Sequence, residues 1–259
     1  MASHETGVLA RAWPVWLVSL LGLWPLADSI EGRISQIDLP DPAMQPETLI
    51  LASLLQTALL LLLATVLGAV LAPRLGLISY LAERRGVGAF IRELPLAITL
   101  GVVLGGSLLC LDRWVFQTIS PALGTPAASA AESAEHALLL GMLYGGISEE
   151  VLMRWGLMSL VCGAVMHLWG KRQARMPRWI AWTGILLSAA VFAFGHLPAA
   201  LLGGPLDFLQ GARILGLNLL AGMVFGWLYW RRSLEAACVA HAAVHGCFYG
   251  LSGHGWGGA

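Results

Sequence analysis

Gly145-Gly-Ile-Ser-Glu149-Glu150-Val-Leu-Met-Arg154 runs directly into Trp155–Leu168, a stretch without a single Asp, Glu, Lys or Arg. From Ile147 to Leu168 the chain is long enough, as a helix, to meet the roughly 20 residues needed to cross a hydrocarbon core. Two carboxylates and a guanidinium therefore sit inside a membrane-length apolar helix. Each ionised group at that depth costs about 3 kcal/mol or more, so such groups mark function.

The rest of the sequence has the same character. It is 58% hydrophobic and 12% charged, with mean hydropathy +0.75. A soluble domain carries about 25% charged residues. Further membrane-length segments are Thr48–Ala72, Pro95–Leu111, Trp179–His196, Ile214–Trp230 and Leu234–Leu251. Trp13–Ala27 is shorter and contains Pro14 and Pro25; Pro25-Leu-Ala-Asp28 matches a signal-peptidase site poorly, so it reads as an uncleaved first span. The fold class is all-α: a polytopic transmembrane helical bundle of about seven spans (six to eight), forming one membrane domain over residues 1–259. His136–Tyr144 is either a half-helix or the outer part of a long fourth helix, with Gly145-Gly146 as the point of separation.

Basic residues set the orientation. Arg11, Arg74, Arg84, Arg85, Arg92, Lys171, Arg172, Arg175, Arg178, Arg231 and Arg232 fall on one side, against Arg33, Arg113 and Arg213 on the other. The positive-inside rule then puts the N-terminus in the cytoplasm and the C-terminus outside. A net charge of zero hides this asymmetry, which suits anionic headgroups and gives no sign of nucleic acid. Trp13, Trp16, Trp24, Trp114, Trp179, Trp227 and Trp230 lie near helix ends, as an interfacial belt requires. Gln117–Ala134 reads as an outer loop. Cys110, Cys162, Cys238 and Cys247 lack CxxC spacing and read as small packing residues. Gly101/Gly105, Gly141/Gly145 and Gly222/Gly226 have GxxxG spacing, which lets helices approach closely.

Glu150 and Arg154 are four residues apart and share a helix face, so they pair with each other. Glu149 is turned about 100° away and faces the bundle interior without a charged partner on its own helix. A desolvated carboxylate suits proton transfer near neutral pH. His196 ends the run Val191-Phe-Ala-Phe-Gly-His, and His241 and His245 lie one turn apart on the last segment. Three histidines on two helices beside an intramembrane carboxylate form one constellation. His4, His136, His167 and His254 fall in tails, at a loop boundary or near the opposite surface, and stay outside it. A fourth helix starting at Gly146 would place the site in the outer half of the bilayer.

At these residues the chain resembles the CAAX-prenyl-endopeptidase and bacteriocin-processing (CPBP) intramembrane proteases. Their EExxxR motif is matched by Glu149-Glu150-Val-Leu-Met-Arg154, and their FxxxH motif by Phe192-Ala-Phe-Gly-His196. Their third motif, a histidine with asparagine or another polar residue four positions on, is matched by His241-Ala-Ala-Val-His245. The resemblance covers about 134–250 and implies peptide-bond hydrolysis inside the membrane. It implies that Glu149 and His196 position and deprotonate the attacking water, and that His241 and His245 stabilise the oxyanion. Glu150 and Arg154 would brace the site, and Phe192 would pack beside it. His245 departs from the usual asparagine and creates HxxxH, the spacing of two zinc ligands on a helix. Glu149, His196, His241 and His245 are accordingly the zinc candidates; the favoured expectation is a metal-free glutamate mechanism that requires no cofactor.

The implied partners are a membrane-embedded or lipidated peptide or protein substrate and the bilayer itself. The implied location is a bacterial inner membrane. Two other classes fit intramembrane Glu and His residues: a transporter or channel with a proton or ion path, and a catalytically inactive peptide-binding scaffold. The first would call for an inverted repeat with broken helices, which the sequence lacks. Retention of Glu149, His196 and His241 counts against the second.

Overall fold

A computed structural model describes residues 7–35, 45–119, 133–169, 175–202 and 204–252. Most of the expected outer loop Gln117–Ala134, together with Lys171, Arg172, His4 and His254, lies outside the described residues. Seven long helices appear among those described: α1 Val8–Ile34, α2 Pro46–Leu75, α3 Leu94–Ile119, α4 Ala134–Leu168, α5 Arg178–Leu201, α6 Phe208–Arg231 and α7 Leu234–Ser252. A single helical turn, Val87–Ile91, precedes α3.

The first six are long and apolar enough to cross a membrane. The seventh is diluted by Glu235, His241 and His245, and packs along α3 and α4. The chain is an integral membrane protein built as a polytopic helical bundle. Its lipid-facing surface is apolar, with Leu51, Leu55, Leu59 and Leu63 exposed along α2. In water such a surface would be an aggregation hazard, whereas in a bilayer it is the solvated side.

Local sequence explains the helix ends. Pro46 opens α2, where its missing N–H is harmless, and Gly76 closes it at φ 72°. Asp207 and Gln210 form a reciprocal capping box at the start of α6. The Ser233 hydroxyl caps α7 by accepting from the Ala236 N–H at 3.1 Å, and itself donates to Glu93 Oε2 at 2.6 Å. Glu235 accepts from the Ser79 hydroxyl and the Leu81 N–H at 2.7 and 2.9 Å. The start of α7 is thereby tied to the loop after α2 and to the start of α3.

One open alternative is decided and two expectations change. His136–Tyr144 is the outer part of a long fourth helix: α4 is continuous from Ala134 to Leu168, and Leu140–Glu149 and Val151–Met158 are wound as π-helix. Glu149 therefore stands 15 residues from one end of α4 and 19 from the other, near the middle of the helix rather than close to its outer end. Arg213 is not a loop charge; it lies within α6, 6% exposed, in a two-pronged ion pair with buried Asp112 of α3. Burial of both partners explains the pairing, since either charge alone would be uncompensated.

The first helix belongs to the bundle. It passes through a tight 3-10 turn at Leu20–Gly22, where the Ser19 carbonyl accepts from the Ser148 hydroxyl of α4 at 2.7 Å. The Trp16 indole N–H donates to the Ala58 carbonyl of α2 at 3.2 Å. On the other side of α4, the Trp155 indole donates to the Thr65 carbonyl of α2 at 3.2 Å, and Ser159 meets the Tyr229 hydroxyl of α6 at 3.0 Å. Helix α4 is thus hydrogen-bonded to α1, α2 and α6.

Candidate active site

Glu150 and Arg154 are completely buried on α4. Glu150 Oε2 lies 3.2 Å from Arg154 Nε, an ion contact without hydrogen-bond geometry. The guanidinium is held from three other directions. Its Nη2 donates to the Gly222 carbonyl of α6 at 3.2 Å, and its carbon lies 4.9 Å from the Phe192 ring centre and 5.5 Å from that of Phe225. Desolvated cation–aromatic contacts of this kind contribute about 2 kcal/mol each. The pair expected from i, i+4 spacing is present, and Arg154 joins α4 to α5 and α6.

Glu150 has a second partner that spacing did not reveal. Its Oε1 accepts from His241 Nδ1 at 2.9 Å, joining α4 to α7. His241 is 4% exposed and stacks on Phe225 with ring centres 4.4 Å apart and planes 17° apart. The His245 ring stacks on the His241 ring at 5.2 Å, with their Nε2 atoms 3.3 Å apart.

Glycines make room for both rings. A methyl group at Gly141 would collide with the His245 ring. One at Gly145 would come within 3.1 Å of His245 Nε2 and 3.2 Å of His241 Nε2. The small-residue pair on α4 is therefore the floor under the two imidazoles, beyond its expected role in helix packing. Gly141→Ala should destabilise the folded protein by about 1–3 kcal/mol through overpacking. Gly106→Ala, whose added methyl meets nothing, should leave it unchanged or slightly more stable. Unfolding of the two variants in a denaturing detergent series compares them directly.

His196 lies at the bend where α5 gives way to its last turn, Leu197–Leu201, which carries Pro198 in its first positions. It is half-buried, and its ring packs edge-on against Phe192 at 4.7 Å. Its Nδ1 is 2.8 Å from the Phe192 carbonyl oxygen. A carbonyl only accepts, so Nδ1 carries the hydrogen, and the neutral ring keeps its lone pair on Nε2. FxxxH spacing thus does local chemical work: the residue four positions earlier fixes the tautomer and buttresses the ring.

Glu149 is half-buried and forms no hydrogen bond among the described residues. Glu149 and His196 both lie in the surroundings of His241. All seven site residues expected from sequence (Glu149, Glu150, Arg154, Phe192, His196, His241, His245) fall on α4, α5 and α7, and Arg154, Phe192, His196, His241, His245 and Glu150 form a connected set of direct contacts. Phe225 and the Gly222 carbonyl on α6 were missed. The only signal for them was the Gly222/Gly226 spacing that brackets Phe225.

As a metal shell the set does not fit. No three His, Cys, Asp or Glu side chains among the described residues converge as ligands.

Residues 133–247 match the family model described as Type II CAAX prenyl endopeptidase Rce1-like. The match runs from the start of α4 to the last turns of α7 and contains all seven expected site residues together with Gly222 and Phe225. No curated protein and no solved structure matches the chain.

Proposed function

We propose, from the match of residues 133–247 to the type II CAAX prenyl endopeptidase family, that the chain is an intramembrane endopeptidase acting on membrane-associated protein substrates. The observation that carries the mechanism is the His196 tautomer. With Nδ1–H donated to the Phe192 carbonyl, Nε2 can accept one hydrogen of a water molecule while Glu149 takes the other. The water oxygen adds to the scissile carbonyl carbon, and its proton passes to Glu149. The oxyanion develops on the side of His241 and His245. Glu149 then returns the proton to the departing amine as the C–N bond breaks. General base catalysis of this kind contributes about 10²–10⁴-fold. Arg154 and Glu150 take no part in the bond changes; they hold α4, α5, α6 and α7 in register around them.

Substrates in this reading carry a lipidated or membrane-anchored C-terminal segment, reaching a site near the middle of α4 from within the bilayer. The basic loops face the cytoplasm, and the membrane is a bacterial inner membrane. No metal is required. The test is cleavage of a panel of prenylated and transmembrane peptides by the detergent-solubilised protein, with products identified by mass. His196→Asn should lower the rate by at least about 100-fold, and a zinc chelator should leave the wild-type rate unchanged. Loss of activity with chelator, restored by zinc, would replace this mechanism with one in which Glu149, His196, His241 and His245 serve a metal.

A further inference from the structure

A carboxylate only accepts hydrogen bonds, so the 2.9 Å contact between Glu150 Oε1 and His241 Nδ1 places a hydrogen on Nδ1. Arg154 Nε, 3.2 Å from the other oxygen of the same carboxylate, supplies a counter-charge for that accepting form. The neutral His241 ring then has its lone pair on Nε2. That lone pair faces His245 Nε2 at 3.3 Å, and the contact is a hydrogen bond only if His245 supplies the proton.

We infer that Glu150 is a positioning residue that fixes the direction of a hydrogen-bond chain, His245 Nε2–H to His241 Nε2 and His241 Nδ1–H to Glu150, and so makes His245 the oxyanion donor. In the resting site His241 holds the His245 donor in place. When the carbonyl oxygen of a substrate acquires negative charge, the His245 Nε2–H turns from the neutral His241 nitrogen to the stronger acceptor. No bond other than hydrogen bonds changes, and no outside reagent is needed. His241 is then the acceptor that orients the donor, not an equal second donor, and a side chain at 245 serves by offering one N–H.

The surroundings favour this direction. Stacking on Phe225 at 4.4 Å and on His245 at 5.2 Å keeps the His241 ring from flipping, and the bare backbone of Gly141 and Gly145 seats both rings. The charged or titratable groups around the pair are Glu149, Glu150 and Arg154 of α4 and His196 of α5, while α3 presents Gly101 and Gly105 to α7. The tautomers stand independently of the hydrolase reading; the oxyanion role rests on it.

The test reads the two parts separately. Full-length protein labelled with ¹⁵N-histidine, in detergent at a pH where both rings are neutral, should show the His241 hydrogen on Nδ1 and that of His245 on Nε2. His241→Asn and His245→Asn assign the signals. In Glu150→Leu the His241 hydrogen should move to Nε2. A wild-type spectrum with hydrogen on His241 Nε2, or with none on His245 Nε2, overturns the chain of bonds whether or not the variant folds. For the donor role, His245→Asn should retain the cleavage rate to within about tenfold, while His245→Ala should lose about 10²–10³-fold, the usual effect of removing one oxyanion donor. Equal loss in both, with the expected spectrum, overturns the donor role and leaves the tautomers intact.

Discussion

Glu149→Gln is expected to reduce peptide cleavage by about 10²–10⁴-fold while leaving the fold and thermal unfolding close to wild type. The substitution keeps the size and shape of the side chain and removes only its ability to take a proton. Glu149 makes no hydrogen bond to the described residues, so no partner is orphaned by the change. A structural carboxylate would behave in the opposite way, with stability lost and the residual rate per folded molecule preserved. Parallel measurement of cleavage rate and unfolding separates the two. Undiminished cleavage by the glutamine variant would remove the central claim of the mechanism.

The second large effect concerns stability. Arg154→Met should destabilise the bundle by about 3–5 kcal/mol, the usual consequence of leaving one member of a buried ion pair without its partner. Glu150 is 0% exposed, and in the variant only the His241 N–H would remain to face its charge. Pairing with a second change makes the argument specific. Glu150→Gln/Arg154→Met removes both charges, and unfolding in a denaturing detergent series should show it more stable than Arg154→Met alone. If the double variant is as unstable as the single one, packing of the guanidinium between Phe192 and Phe225 outweighs charge compensation. Neither variant should cleave at the wild-type rate, because each loosens the junction of α4 with α5 and α6.

Much of this architecture is written in hydropathy. The expected spans Thr48–Ala72, Trp179–His196 and Leu234–Leu251 lie within α2, α5 and α7 and miss their ends by a few residues. Ends extend because proline and capping residues such as Pro46, and charged steps such as Asp112-Arg113, continue a helix that hydropathy alone would stop. The three motifs were legible for a similar reason: a charge or histidine within an apolar run stands out without knowledge of its neighbours. What the chain did not reveal is contact between helices. Glu150 has only Arg154 within reach on its own helix, so its bond to His241, 91 residues away, is invisible to spacing. Gly145-Gly146 carries the signature of a helix break, yet it lies inside a continuous α4, where the imidazoles of His241 and His245 pack against Gly145 and Ala242 of α7 packs against Gly146. Arg213 lies only five residues into α6, near its Asp207 cap, where a loop charge and a buried clasp with Asp112 look alike.

The bond from Glu150 to His241 also has a history in time. A ribosome adding about 5–20 residues per second delivers His241 roughly 5–20 s after Glu150. Throughout that interval a nascent helix must rest in or beside the lipid carrying a carboxylate whose later partner does not yet exist. Arg154 follows Glu150 by only four residues, so this helix carries its own counter-charge from the start. The same arginine that later braces three finished helices is, during synthesis, the escort that lets an acidic helix wait in oil.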